Sequence, residues 1–177
     1  MTNTIKKIKP KLLFSTEEIQ QAVRNMAREL EDVFLPDPIT CIPILTSSIP
    51  LAADLMREIR LPMSIYPCWA CQTPEDSDQS HQIILPDFGD FPKKILLLDT
   101  LVDTGSTLQI IAKLLIEEVG ISEIITAVLL NKNKVPMDDL FIHSTGFHCP
   151  DKTVIGYGLD HDGYFRNLEN LCILRGV

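Results

Sequence analysis

The sequence predicts an α/β fold with a mostly parallel central sheet flanked by helices. Short apolar runs of strand length, at 39–45, 95–98 and 124–130, alternate along the chain with segments of helical periodicity. One of these runs passes directly into a glycine-containing turn and then a helix. Strands that alternate with helices pair in parallel, and the helices then cover both faces of the sheet.

The first helix is predicted over about residues 16–34. Ser15 and Glu18 have the S-x-x-E spacing of a capping box. Pro36 and Pro38 follow and end the helix. One face is apolar at helical spacing, as expected for a helix that packs on a sheet, and its residues are Ile19, Ala22, Val23, Met26, Leu30 and Val33.

The next segment predicts a strand, a turn, a helix and a second strand. The apolar run at 39–45 predicts a buried strand, and the hydroxyl residues at 46–48 predict a turn. Pro50 suits the start of a helix that extends to about Ile59. Residues 63–69 predict another strand, with Trp69 expected in the core.

Residues 72–91 are polar, acidic and rich in turn formers, including Pro74, Pro86 and Gly89. Long loops inside compact domains are usually functional or disordered, so this segment is predicted to be a long mobile loop. The acidic stretch within it is expected to be a solvated tip.

The second half of the chain predicts a strand at 95–98, a polar turn at 99–107 and an amphipathic helix to about Val119. Gly120 suits the helix end, because glycine adopts the left-handed conformation found there. A strand at 124–130 follows, and short strand, turn and loop pieces lie beyond Thr145.

The composition predicts one cytosolic domain that spans 1–177. The chain has 177 residues, 45% of them hydrophobic and 23% charged, and it lacks an apolar run of membrane-spanning length. A formal net charge of −8 argues against nucleic-acid and anionic-membrane partners, which need a basic surface. Five scattered cysteines are expected to be reduced thiols. The C-x-x-C pair Cys68 and Cys71 is expected to be packing, with thiol or metal chemistry as the alternative.

The chemistry is expected at the turn after the 95–98 strand. Ligands of open α/β sheets bind at the carboxyl ends of strands, where Asp99 and Asp103 fall. Gly105 lets the backbone approach a ligand, and Thr104, Ser106 and Thr107 surround it with hydroxyls at a helix start. This pattern predicts a phosphate cradle with two carboxylates beyond it, which could hold ribose hydroxyls, hold Mg²⁺ through water or accept a proton.

Three other interpretations of this turn are weaker. Its aspartate and serine could merely cap the helix. The Asp-Thr-Gly-Ser sequence also occurs in aspartic proteases, but those need two such aspartates and the chain has one copy. A Walker-type nucleotide site needs a Gly-Lys-Ser/Thr sequence, which is absent.

Four segments carry a family resemblance. The stretch Leu98–Leu108 resembles the phosphoribosyl-diphosphate (PRPP) motif of type I phosphoribosyltransferases. Leu12–Ile19, Ile44–Ile59 and especially Pro150–Leu168 are similar to segments of the hypoxanthine-guanine members. The resemblance implies the type I phosphoribosyltransferase fold, with a small hood made by the chain ends, and a homodimer or homotetramer.

The implied reaction joins Mg-PRPP and a 6-oxopurine, hypoxanthine or guanine, into the nucleoside monophosphate and releases pyrophosphate. The resemblance makes Asp103 the carboxylate near purine N7 and Lys132 the lysine that binds the 6-oxo group. Thr153 and the Val154 backbone would contact the base. The other implied residues are Asp99, Thr100, Thr104, Gly105, Ser106, Thr107, Thr46, Ser47 and Arg166 for PRPP, and Asp160 and Asp99 for Mg²⁺.

The chain departs from the family pattern at four places. The acidic pair is Asp99-Thr100, so one anion is missing, and the Leu-Lys-Gly pyrophosphate loop is replaced by residues 45–48, Leu-Thr-Ser-Ser. Thr153 stands where an aromatic stacks on the base, which leaves Trp69 as an alternative base-stacking residue to its expected place in the core. The resemblance makes residues 72–91 a mobile loop of the active site, but the family's Ser-Tyr pair is absent from 68–91. Two hypotheses follow: an enzyme of reduced or altered activity, or a PRPP- or nucleotide-binding regulatory protein on the same fold.

Overall fold

The computed structural model describes residues 10–72, 81–85, 92–132 and 141–174. Within these residues, seven strands form a central sheet in the order β5-β4-β2-β6-β7-β8, with β3 beside β2, and three form a second sheet, β1-β10-β9. The elements are β1 (Lys11–Phe14), α1 (Thr16–Phe34), β2 (Ile39–Leu45), α2 (Ile49–Glu58), β3 (Met63–Ile65), β4 (Cys68–Gln72), β5 (His81–Ile84), β6 (Lys94–Val102), α3 (Ser106–Leu114), β7 (Glu123–Asn131), β8 (Ser144–His148), β9 (Val154–Ile155) and β10 (Leu171–Ile173).

The first helix forms as its capping signal predicts. The Ser15 backbone N–H donates to Glu18 Oε2 at 2.8 Å, and the Glu18 N–H donates to Ser15 Oγ at 3.3 Å. The last turn of α1 has no basic residue, and Lys94 of β6 takes that place. Its Nζ donates to the Val33 carbonyl at 2.7 Å and lies 5.1 Å from the centre of the Phe34 ring. A cation there stabilises the helix end, as the helix dipole requires.

The buried strand β6 lies in the middle of the parallel part of the sheet, between β2 and β7. Leu96 and Leu98 pack with the apolar faces of α1 and α2, whereas Ile95 and Leu97 pack with α3 on the other face. The prediction of a mostly parallel sheet covered on both faces is therefore confirmed. The pairs that β2 makes with β3, β4 and β6 are parallel, as are β6–β7 and β7–β8, and β4–β5 is antiparallel.

The chain ends form the predicted hood, an antiparallel sheet in which β10 pairs with both β1 and β9. Phe14 of β1 stacks on Phe147 of β8 with ring centroids 3.9 Å apart, which joins this sheet to the main one. In the described part of the chain, the helices are too short or too polar to cross a membrane.

The predicted strand at 63–69 is wrong as a single element. Residues 63–65 pair with the start of β2, and residues 68–69 pair with its end. Pro67 lies between the two pieces, and proline has no N–H to continue a ladder. The helix predicted to about Val119 is α3 followed by a π-helical turn at Leu115–Val119, and it ends at Gly120 with φ +80°.

The predicted loop at 72–91 contains a strand, because β5 pairs antiparallel with β4. Its remaining parts, 73–80 and 86–91, lie outside the described residues. The expectation that Trp69 is in the core is also wrong, since 51% of it is exposed. It lies opposite Ile84 in the β4–β5 pair at the sheet edge, and Ile84 is 49% exposed.

Candidate functional site

Three connections meet at the carboxyl edge of the parallel strands. The loop at 45–48 follows β2, the turn at 103–107 follows β6, and Lys132 directly follows β7. Because β2, β6 and β7 are adjacent and parallel, these segments lie side by side. This is the edge at which open α/β sheets bind ligands.

The turn after β6, residues 104–107, is the segment predicted to bind phosphate. It lines an open cavity together with Asp99 and Asp103. Gly105 has φ +81° at the N-cap of α3, a left-handed conformation that glycine adopts without a steric cost. It offers no capping side chain to the first helical amides, and the exposed Thr104 donates its hydroxyl to Ser106 Oγ at 3.2 Å. Helix amides and hydroxyls in this arrangement suit a phosphate group.

Asp103 and Lys132 are in direct contact, although 29 residues separate them. Lys132 Nζ donates to Asp103 Oδ2 at 2.8 Å, and only 9% of the lysine side chain is exposed. The Lys132 backbone N–H donates to the Val102 carbonyl at 3.1 Å, which fixes the start of the lysine beside the end of β6. The pair places a proton acceptor and a cationic donor next to the phosphate loop.

Asp99 lies within β6, which corrects the expectation that it follows the strand. The strand continues to Val102 because β7 pairs with it as far as Asn131. Asp99 Oδ1 accepts from the Thr100 N–H at 2.7 Å and from Ser47 Oγ at 3.4 Å. Burial raises the pKa of Asp99 to about 7, against the opposing effect of these hydrogen bonds.

Thr100 is fully buried, and its hydroxyl has no hydrogen-bond partner among the described residues. A buried hydroxyl without a partner costs free energy. Thr100 directly follows Asp99, where the resemblance leads us to expect a second acid.

The loop at 45–48 is packed rather than open. Its Leu45–Thr46 peptide is cis, and buried Ser48 donates its hydroxyl to the Ile44 carbonyl at 2.5 Å. The hood touches it at Gly158, where a Cβ atom would lie 2.0 Å from the Ser47 carbonyl oxygen. Thr46 is exposed, and the partly exposed Ser47 donates its hydroxyl to Asp99 of the site.

Asp160 and Arg166 of the hood pair with each other. Arg166 Nη2 lies 2.8 Å from Asp160 Oδ1, and Arg166 Nη1 donates to the Gly158 carbonyl at 2.7 Å. Asp160 Oδ2 accepts from the Gly163 N–H at 2.8 Å. Through Gly158, this cluster lies next to the loop at 45–48.

The donor set suits a magnesium ion that arrives on a ligand better than a resident ion. No cluster of three or more His, Cys, Asp or Glu side chains that could hold a metal occurs in the described ranges. Both oxygens of Asp160 are already engaged, and the residue beside Asp99 is Thr100 rather than a second acid. Mg²⁺ is commonly held by one or two carboxylates plus substrate phosphates, which is the role predicted for these two aspartates.

The predicted base segment lies beside Lys132. Asp151 Oδ1 is 3.7 Å from Lys132 Nζ, while Thr153 two residues later is exposed and Val154 is buried in β9. Sequence reasoning missed Asp151, which has no distinguishing pattern. It also missed Gly158, although a glycine near a strand end is a signal of close backbone approach.

The C-x-x-C pair is only partly described. Cys68 is buried, and burial raises the pKa of its thiol to about 11, as expected for a packing residue. The side chain of Cys71 lies outside the described residues, so the alternative of paired thiol chemistry stays open.

Comparisons with known proteins find one family across most of the chain. The family model of the phosphoribosyl transferase domain matches residues 13–162. A hypoxanthine-guanine phosphoribosyltransferase of Staphylococcus epidermidis is 29% identical over 93% of both chains, and one of Staphylococcus aureus is 28% identical over 99% of this chain and 97% of its own. Among solved structures, a hypoxanthine-guanine phosphoribosyltransferase of Bacillus anthracis has a TM-score of 0.82 and 26% identity, covering 95% of this chain and 99% of its own.

Proposed function

The chain belongs to the phosphoribosyl transferase domain family, and from that premise we propose that it transfers the phosphoribosyl group of Mg-PRPP to hypoxanthine or guanine. The relatives are named as enzymes, and this chain too is a phosphoribosyltransferase. Its use of Mg-PRPP and of a 6-oxopurine is what we propose. The alternative of a regulatory nucleotide-binding protein is not favoured by the comparisons.

The observation that carries the proposal is the contact of Asp103 with Lys132 beside the phosphate loop. A 6-oxopurine offers an acceptor at its 6-oxo oxygen and ring nitrogens that exchange a proton. The ammonium and the carboxylate, 2.8 Å apart, supply the matching donor and acceptor. Residues 104–107 next to them supply a site for the 5′-phosphate.

In the proposed reaction, a purine ring nitrogen bonds to C1 of the ribose while the bond from C1 to the diphosphate oxygen breaks. The electron pair of that bond leaves with the diphosphate, and the base loses a ring proton. Asp103 accepts or shares that proton, and Lys132 donates to the 6-oxo oxygen. The negative charge of Asp99, when ionised, stabilises the positive charge that develops on the ribose.

Thr100 and the loop at 45–48, which depart from the family pattern, are proposed to bind the ribose and the diphosphate of PRPP. Thr100 would give its unpartnered hydroxyl to a ribose hydroxyl, in place of the missing acid. Thr46 and Ser47 would offer hydroxyls and amides to the diphosphate, with Arg166 from the hood. Asp99 and Asp160 would hold the Mg²⁺ that arrives with PRPP, and that ion would neutralise charge on the leaving diphosphate.

Thr153 and Val154 are proposed to border the base, because Asp151 of the same segment lies close to Lys132. Thr153 cannot stack as an aromatic would, so base affinity is expected to depend more on Lys132. The homodimer or homotetramer stays a prediction, to be checked by light scattering.

The test is product formation from Mg-PRPP with hypoxanthine, guanine, xanthine and adenine in turn, at high protein concentration. Hypoxanthine or guanine should give nucleoside monophosphate. Adenine carries a 6-amino donor that faces the Lys132 ammonium, so it should be used at least roughly a hundredfold less well. Preferred use of adenine would contradict the proposed substrate class.

A further inference from the structure

Lys132 lies between two carboxylates that come from different parts of the fold. Asp103 follows β6 and is 2.8 Å from Lys132 Nζ, whereas Asp151 precedes β9 and is 3.7 Å from the same atom. The lysine therefore joins the end of the parallel sheet to the segment that leads into the hood.

Lys132 is largely buried, so its charge must be stabilised by neighbouring groups rather than by water. Only 9% of its side chain is exposed, against 42% for Asp103 and 63% for Asp151. A cation taken out of water needs anionic or hydrogen-bonding partners to compensate for lost hydration. The neighbouring Cys149 does not compete as an anion, because burial raises the pKa of its thiol.

The proposed reaction creates a conflict within this cluster. The base needs both the Lys132 ammonium and the Asp103 carboxylate, yet without a base these two groups bind each other. An ammonium group has three N–H donors. A second carboxylate to one side lets the lysine keep an anionic partner while Asp103 engages the ring of the base.

We infer that Asp151 is a positioning residue for the base: it holds Lys132 where the 6-oxo group can accept its hydrogen bond, and so sets the affinity for 6-oxopurines. This inference rests on the proposed function and deepens it. With Asp151 neutral, the lysine is drawn wholly to Asp103, and the base must break that pair to bind.

The first test compares Asp151→Asn with Asp32→Asn, which removes the same charge from an exposed position on α1. Asp151→Asn should raise the KM for hypoxanthine by roughly tenfold, because the base would lose the hydrogen bond from the Lys132 ammonium to its 6-oxo group. The KM for PRPP and the thermal midpoint should match those of Asp32→Asn. An unchanged KM for hypoxanthine, or an equal rise for both substrates, would overturn the inference.

The second test asks whether Asp151 acts through Lys132. Calorimetry gives the affinity for inosine monophosphate in the wild type, Asp151→Asn, Lys132→Met and the double variant. Asp151→Asn should weaken binding in the wild-type background and have little effect in the Lys132→Met background. Equal weakening in both backgrounds would overturn the positioning role. A wild type that binds the nucleotide but makes none from any base would instead contradict the proposed function, and one that does neither would contradict both.

Discussion

The two loops proposed for the two phosphate ends of PRPP are held in opposite ways. Residues 104–107 stand open at the start of α3, and they line a cavity through a glycine turn and hydroxyl groups. Residues 45–48 are packed: Ser48 is buried and bonded to the strand before it, and the hood backbone at Gly158 lies against Ser47.

Because of this difference, substitutions in the two loops should affect different properties, ligand affinity in one and the free energy of unfolding in the other. The open loop derives its geometry from local features, so changes to its hydroxyls should affect ligand affinity more than folding. The packed loop derives its geometry from the hood and from β2, so changes there should be felt as a loss of folding free energy.

The largest expected effect comes from Gly158→Ala, which breaks the packing of the second loop. The added Cβ would meet the Ser47 carbonyl at 2.0 Å, and φ is +93°. The free energy of unfolding should fall by about 3 kcal/mol or more, from overpacking and left-handed strain together. Denaturant titration measures it. Gly120→Ala is the control, with φ +80° and no atom within 4 Å of the new Cβ, and it should cost only about 1 kcal/mol. Equal losses for both variants would mean that the hood does not hold the loop.

An intermediate effect on the free energy of unfolding is expected when a serine of the packed loop, and not one of the open loop, is replaced by alanine. Ser48→Ala removes a buried hydroxyl that donates to the Ile44 carbonyl, and should lower the free energy of unfolding by about 1–2 kcal/mol. Ser106→Ala removes a partly exposed hydroxyl, should change that free energy by less than about 0.5 kcal/mol, and should weaken PRPP binding by roughly fivefold. Thermal unfolding and PRPP titration of both variants check this. If Ser106→Ala is the more destabilising of the two, the contrast between the loops is wrong.

A small effect of opposite sign is expected for Thr100→Val, in β6 before the open loop. The change removes a buried hydroxyl that has no partner in the described structure, so stability should rise by about 1 kcal/mol. The KM for PRPP should rise because the proposed contact with a ribose hydroxyl is lost. Thr40→Val is the control, since the buried Thr40 hydroxyl lies 3.2 Å from Ser64 Oγ and its removal should destabilise. Destabilisation by both changes would show that the Thr100 hydroxyl has a partner within the protein and does not wait for a ligand to supply one.

The sequence predicted the parts of this molecule that depend on local chemistry. The Ser15–Glu18 cap, the Gly105 turn and the hydroxyls around it are each set by neighbours in the chain. The apolar runs also predicted the strands of the sheet, because parallel strands buried on both faces need them.

Features that depend on contacts between distant parts of the chain could not be predicted from the sequence. Trp69 is exposed because β4 lies near the sheet edge, and Asp99 stays within β6 because β7 extends beside it. Asp151 has an ordinary acidic side chain in a turn, and only the fold brings it to Lys132. The roles assigned to Asp103, Lys132 and the hood residues came from the resemblance, and they remain predictions for this chain.

The most direct test follows single turnover of Mg-PRPP and hypoxanthine in the wild type and in Asp103→Asn, with PRPP affinity measured in both. The wild type should release equal amounts of inosine monophosphate and diphosphate. The rate should be at least roughly a hundredfold lower in Asp103→Asn, because a proton acceptor is lost, with PRPP affinity nearly unchanged. Saturable PRPP binding by a wild type that releases no diphosphate would contradict the proposed transferase activity and make the chain a PRPP-binding regulatory protein.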